Sequence, residues 1–252
     1  MAGFDAAMEN QREMARANAK FKMAAGLDYN GADTVFTGYT SYAEKGVKVL
    51  ALFKDGDKVE EALAGDDCVI ILDKTPFYGE SGGQIGDTGT MKNDTTMIRV
   101  IDTQKVKATV WGHHAHVEEG SVKVGDVFDV AIDADRREAI RRNHSAAHLL
   151  QYGLREVLGE HVLQRGSWVG PDVARFDFTH GEAMTAEQIL EVEQIVNRCV
   201  LANTEVVTSV MPIEEAKKSG ALMLFGEKYG ETVRMLQIGP SKELCGGTHI
   251  AR

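Results

Sequence analysis

The sequence predicts an α+β protein: a small β-barrel followed by a core with helices on one face of a mostly antiparallel sheet. Three observations point there. From Thr34 to about Ile132, short alternating or β-branched runs follow one another with turns between them and no helical period, a pattern that closes into a barrel or sandwich. From Asp133 onward the apolar period lengthens to that of helices, with a few strands interspersed. At 252 residues and 43% hydrophobic content, the chain can bury one large core or two smaller ones. It divides into residues 1–31, a helical linker or tail of a preceding domain; 32–132, the barrel; and 133–252, the α+β domain.

Phe4 to Ala25 is rich in good helix formers but too sparse in apolar residues for a buried stripe. Gly26 to Gly31 ends it. The expected strands are Thr34–Thr37, Val47–Phe53, Cys68–Leu72, Met97–Asp102, Ala108–Gly112 and Val127–Ile132, and Lys54-Asp55-Gly56-Asp57 turns a hairpin. Between them, Phe77 to Gly89 holds five glycines in thirteen residues, which serve tight turns or let backbone approach a ligand. The spacing fits neither a P-loop nor a dinucleotide fingerprint, so phosphate cradling is a poor reading. His113, His114 and His116 fall at a strand end entering a turn and are expected to be solvated, with metal binding the lesser alternative. Asp133 or Asp135 can cap a long helix stopped by Gly159, with Ile140, Ala147, Leu150, Leu154, Val157 and Leu158 as its buried stripe. Ala174–Phe178 alternates as a strand. Thr185 and Gln188 have capping-box spacing for a helix to about Leu201, whose stripe is Ile189, Val192, Ile195, Val196 and Cys199. Glu205–Met211 and Val233–Ile238 read as strands, and Pro212 and Gly220 bound a short helix between them.

Composition removes several function classes. No apolar run approaches ~18 residues and Met1 to Ala25 lacks a hydrophobic signal core, so a membrane span and secretion are not indicated. Three widely separated cysteines argue for a reducing compartment and against a disulfide framework. Cys68 and Cys199 both fall in apolar patterns and read as core residues. The formal charge of −10 disfavours non-specific attraction to nucleic acid. Net charge is not local charge, and Arg136, Arg137, Arg141 and Arg142 crowd the turns before His144; they form either a solvated helix face or a phosphate-facing group.

The chemistry concentrates in Asn143 to His148 and Cys245 to His249. Histidines at i and i+4 project from one helical face, a turn apart, where both can bind one ion. The second stretch adds a thiolate and a third imidazole, and such a set points to zinc. The alternatives are packed or solvated histidines, or a cysteine hydrolase of Cys245 and His249, which leaves His144 and His148 unexplained.

Asn143-His144-Ser145-x-x-His148-Leu149, Cys245-Gly246-Gly247-Thr248-His249 and Phe77-Tyr78-x-Glu80-Ser81-Gly82-Gly83-Gln84-x-Gly86-Asp87-x-Gly89 resemble the editing domain of alanyl-tRNA synthetases. Arg175-Phe176-Asp177-Phe178 and Phe225-Gly226-Glu227-Lys228-Tyr229 share in the likeness, which runs through nearly the whole chain. The resemblance implies a β-barrel followed by an editing core shared with threonyl-tRNA synthetase. It further implies zinc on His144, His148, Cys245 and His249, with Gln164 and Gly82-Gly83-Gln84 near the aminoacyl group. The expected activity is hydrolysis of serine or glycine from alanine tRNA, in the cytoplasm. Candidate catalytic residues are the four ligands and Gln164; candidate substrate contacts are Gly82, Gly83, Gln84, Gln164 and Thr248; the four arginines are candidates for tRNA. Nothing resembles an ATP-binding aminoacylation core, and the end at Arg252 suggests a fragment whose partners include the remaining domains of the synthetase. The rival from another class is a non-catalytic, zinc-stabilised tRNA-binding module.

Overall fold

The structure is a computed structural model that describes residues 26–223 and 229–252; the helix expected over Phe4 to Ala25 and the Phe225 to Lys228 part of the resemblance lie outside them. The chain falls into two compact units. One comprises residues up to Glu80 with Gly86–Asp133, and the other Ser81–Ile85 with Ala134–Arg252.

The strands of the first unit are β1 (Val35–Phe36), β2 (Ala43–Lys54), β3 (Asp57–Val59), β4 (Glu61–Leu63), β5 (Asp67–Leu72), β6 (Lys74–Thr75), β7 (Gly89–Lys92), β8 (Met97–Lys107), β9 (Val110–Glu119), β10 (Ser121–Lys123) and β11 (Val127–Ile132). Six of them form an antiparallel barrel in the order β11-β7-β8-β9-β5-β2, closed by β11 pairing with β2. Closure leaves those strands without open edges. Strand alternation fills the interior with Cys68, Ile70 and Leu72 from β5 and with Ala115 and Val117 from β9, while Val69 and Ile71 pack outside with Leu27 and Tyr29. In β2, a register shift between Val49 and Ala51 exchanges the two faces. Val47, Val49 and Leu52 therefore point inward, and Ala51 and Phe53 outward. The Asp55-Gly56 turn between β2 and β3 has positive φ at both residues, as a tight hairpin requires.

The structure departs from the sequence reading at three places. The strand expected at Thr34–Thr37 shrinks to β1, which pairs in parallel with β6 outside the barrel. Its place in the barrel is taken by β7, whose Gly-Thr-Met-Lys contains one apolar side chain and so gives no periodic signal. The strand expected to end at Gly112 runs on to Glu119, so His113 and His114 are buried rather than solvated. His113 Nδ1 donates to the Ile70 carbonyl at 2.8 Å and its Nε2 accepts from the Thr75 hydroxyl at 2.7 Å. Burial pushes this imidazole down to about 4. His116 pairs with Asp67 at 2.8 Å.

The second unit contains helices α1 (Ala134–Leu158), α2 (Ala186–Leu201) and α3 (Ile213–Lys218), with strands β12 (Gln164–Val169), β13 (Ala174–Phe178), β14 (Val206–Pro212), β15 (Thr232–Ile238) and β16 (Ser241–Leu244). β12 and β13 form one antiparallel hairpin, and β14, β15 and β16 a three-stranded antiparallel sheet. The fold is α+β. Leu236 and Ile238 of β15 pack with Leu149 of α1 and Val196 and Cys199 of α2, whereas Val233 and Met235 pack with Ile213 and Ala216 of α3. The two long helices thus share one face of the sheet, and the short α3 covers the other. α2 opens on the expected capping box: Thr185 accepts from the Gln188 amide at 3.2 Å and Gln188 returns a bond to the Thr185 amide at 2.9 Å. Its buried stripe begins at Val192, because Ile189 is exposed.

Candidate metal centre

α1 carries the first two ligands. Asp135 in its first turn and Arg155 in its last complement the helix dipole. Gly159, at φ 109°, ends it in a conformation open chiefly to glycine. His144 and His148 lie one turn apart with their rings stacked, centroids 5.3 Å apart. β16 and the Gly246-Gly247 turn bring Cys245 and His249 to the same point. A Cβ on Gly247 would fall 2.1 Å from His144 Cε1, so glycine is needed there for close approach.

The four ligand atoms lie within 4.8 Å of one another. His148 Nε2 is 3.1 Å from His249 Nε2, and Cys245 Sγ is 3.5 Å from both His144 Nε2 and His249 Nε2. Tetrahedral zinc, with Zn–N of about 2.05 Å and Zn–S of about 2.3 Å, separates its ligands by about 3.3 Å (N to N) and about 3.6 Å (N to S). The residues fit such an ion.

Residues around the ligands fix which nitrogens face the centre. Thr248 N–H donates to Gln84 Oε1 at 2.8 Å, which identifies that atom as the amide oxygen; His144 Nδ1, also 2.8 Å from it, must be the donor. The Nε2 lone pair of His144 is left for a metal. Gln84 Nε2 donates in turn to Thr248 Oγ1 at 2.9 Å. His148 Nδ1 donates to Glu243 Oε2 at 2.8 Å, and Ser241 holds the other carboxylate oxygen at 3.1 Å. Such outer partners set ring orientation and ligand basicity. Gly247 N–H donates to Cys245 Sγ at 3.4 Å.

The electrostatics suit a cation. Burial alone would push the Cys245 thiol up, but His249, His148 and His144 outweigh it and hold the thiol well below its usual range. Burial drives His249 down to about 3. For His148 the same burial penalty is outweighed by Glu243 and Cys245, which lift it to about 10. Glu243 and Cys245 thus favour positive charge at His148, whether from a proton or a metal, and the two compete for it.

The remaining candidates divide. Gln164, Gly82, His144, His148 and Cys245 line one small cleft of about 30 Å³. Gln84 and Thr248 are buried and hydrogen-bonded to each other, and Gln84 also to His144. Gly83, at φ 83°, lies where a Cβ would meet Ser167 Oγ at 2.2 Å; its backbone packs on β12. Arg137 is 1% exposed and cannot face phosphate. Arg141 is held by Glu138 at 2.6 Å and by the His249 carbonyl at 2.5 Å. Arg142 is exposed and Arg136 half-buried. Glu243 was missed by the sequence reading; only its place two residues before Cys245 on a strand marked it.

A family model described as tRNA synthetases class II (A) matches residues 1–136, more than half of the 252 and ending before the first ligand. The chain is 56% identical over 251 residues to the alanine--tRNA ligase of Methylibium petroleiphilum, covering all of this chain and 29% of that one. It is 57% identical over 249 residues to the alanine--tRNA ligase of Leptothrix cholodnii, and 57% identical over 252 residues to that of Bordetella pertussis. Those alignments cover 99% and 100% of this chain, and 28% and 29% of the relatives. The chain thus spans less than a third of the length of the relatives it matches. Among the described residues, no helix is long and apolar enough to cross a membrane. On the match over residues 1–136, the chain belongs to the class II (A) tRNA synthetase family.

Proposed function

We propose that this chain is the editing part of an alanine--tRNA ligase, hydrolysing the ester that joins serine or glycine to alanine tRNA with zinc on His144, His148, Cys245 and His249. The observation that carries the reading is the convergence of these four ligand atoms, three of whose residues line a cleft that also holds Gln164. When bound, zinc supplies Lewis acidity, polarising an ester carbonyl and making water more acidic. Gln84 and Glu243 hold His144 and His148 in the metal-binding tautomer. Gln164 and Gly82 offer an amide and an uncluttered backbone to the aminoacyl group, while Ala147, Val169, Phe176 and Leu244 form apolar walls that admit only a small side chain. Arg136 and Arg142 remain as the tRNA contacts of the original four. The alanine tRNA and the rest of a longer synthetase are the partners, and the cytoplasm is the place.

A second reading has a specific observation behind it. Four protein ligands complete a tetrahedral shell, as in structural zinc sites, and a closed module would bind tRNA without turnover. A deacylation time course on seryl-, glycyl- and alanyl-tRNA decides: editing predicts serine and glycine removed much faster than alanine, and no release from any of the three supports the closed module.

A further inference from the structure

Gln151 stands three residues beyond His148 and seven beyond His144, so it shares their face of α1. It is 5% exposed, and its Oε1 is fully buried with no hydrogen-bond partner among the described residues. Of the residues lining the cleft, it is the one with such an atom. Native structures satisfy buried amide oxygens, and an exception inside a cleft marks a place where a ligand brings the donor. The other buried polar side chain beside it, Glu243, is already occupied by His148 and Ser241. The cleft it lines also has the apolar side chains of Ala147, Val169, Phe176 and Leu244, and its space of about 30 Å³ takes a hydroxymethyl group.

We propose that Gln151 is the specificity-determining residue of this site, its amide oxygen accepting a hydrogen bond from the side-chain hydroxyl of the aminoacyl group. The inference rests on the editing reading and deepens it. A seryl hydroxyl supplies the donor that Oε1 lacks, whereas an alanyl methyl covers the oxygen without one, so selectivity comes from a penalty on alanine. Gln164 is half-buried, can turn to solvent, and discriminates less.

The test is equilibrium binding of two non-hydrolysable probes, 3′-seryl- and 3′-alanyl-amides of 3′-aminoadenosine, to zinc-loaded wild type, Gln151→Met, Gln151→Glu and Gln164→Met, with zinc content and Tm recorded. Wild type should favour the seryl probe about tenfold or more. Gln151→Met should lose most of that ratio by weakening the seryl probe alone, with zinc content kept and Tm unchanged or raised. Gln151→Glu, which keeps an acceptor, should retain the preference, whereas Gln164→Met, at a residue also placed against the aminoacyl group, should weaken both probes alike. No seryl preference in wild type, or an unchanged ratio or equal loss of both probes in Gln151→Met, would overturn the assignment. A Gln151-dependent preference without seryl-tRNA hydrolysis would instead sink the editing reading alone.

Discussion

His144 and His148, two of the four candidate ligands, are each held by a residue whose contribution can be measured separately from their own. Glu243→Gln leaves an acceptor for His148 Nδ1 but removes the charge that balances a cation, so zinc affinity should fall about 10–100-fold with the fold intact. Competition with a chromophoric chelator reads this directly; unchanged affinity would show that Glu243 is only packing. His144→Ala or Cys245→Ala should lose zinc outright in the same assay. The four-residue cluster was legible in the sequence because helical spacing and a short turn fix the geometry of each half locally. Gln84 and Thr248 were recognised as belonging near the site, but their hydrogen bonds to each other were not legible. Their pairing across 164 residues, and the burial of Arg137 and Gln151, depend on tertiary register that no local pattern encodes.

At the level of elements, β9 holds a testable consequence of the misread histidines. His113 is buried and neutral, and its folded value of about 4 lies below the unfolded value of 6.5. Between those two pH values the unfolded chain binds the extra proton, so stability rises with pH there. The contribution is complete above about 6.5 and is lost as pH falls toward 4, up to about 3 kcal/mol. Urea midpoints at pH 7.5 and 5 for wild type and His113→Asn should show a smaller pH effect in the variant, and an equal effect would remove His113 as the cause. The barrel as a class was readable from its strands, and the capping box of α2 from Thr185 and Gln188. The membership of β7 was not, because strand closure recruits it despite a nearly featureless sequence. Nor was the second covered face of the β14-β15-β16 sheet, since alternation in β15 shows that both faces are apolar without saying what covers each.

For the molecule as a whole, a chain of net charge −10 that binds tRNA, as proposed, would have to concentrate its positive contacts. Arg136→Gln with Arg142→Gln should weaken tRNA binding and flatten its salt dependence by about two phosphate contacts, leaving zinc content unchanged. An unaltered salt slope would return both to the solvated face of α1. Because the ligands bind metal only when deprotonated, and Glu243 and Cys245 strengthen proton binding at His148, zinc affinity should fall as the solution is acidified. The central claim, that the four-residue cluster binds zinc for ester hydrolysis, is tested most directly by following zinc content and seryl-tRNA hydrolysis together through chelation and zinc return. The account predicts about one zinc per chain, a hydrolysis rate that falls in step with its removal, and recovery when zinc alone is restored. Full hydrolysis by the zinc-free protein, or by zinc-free Cys245→Ala, would contradict it.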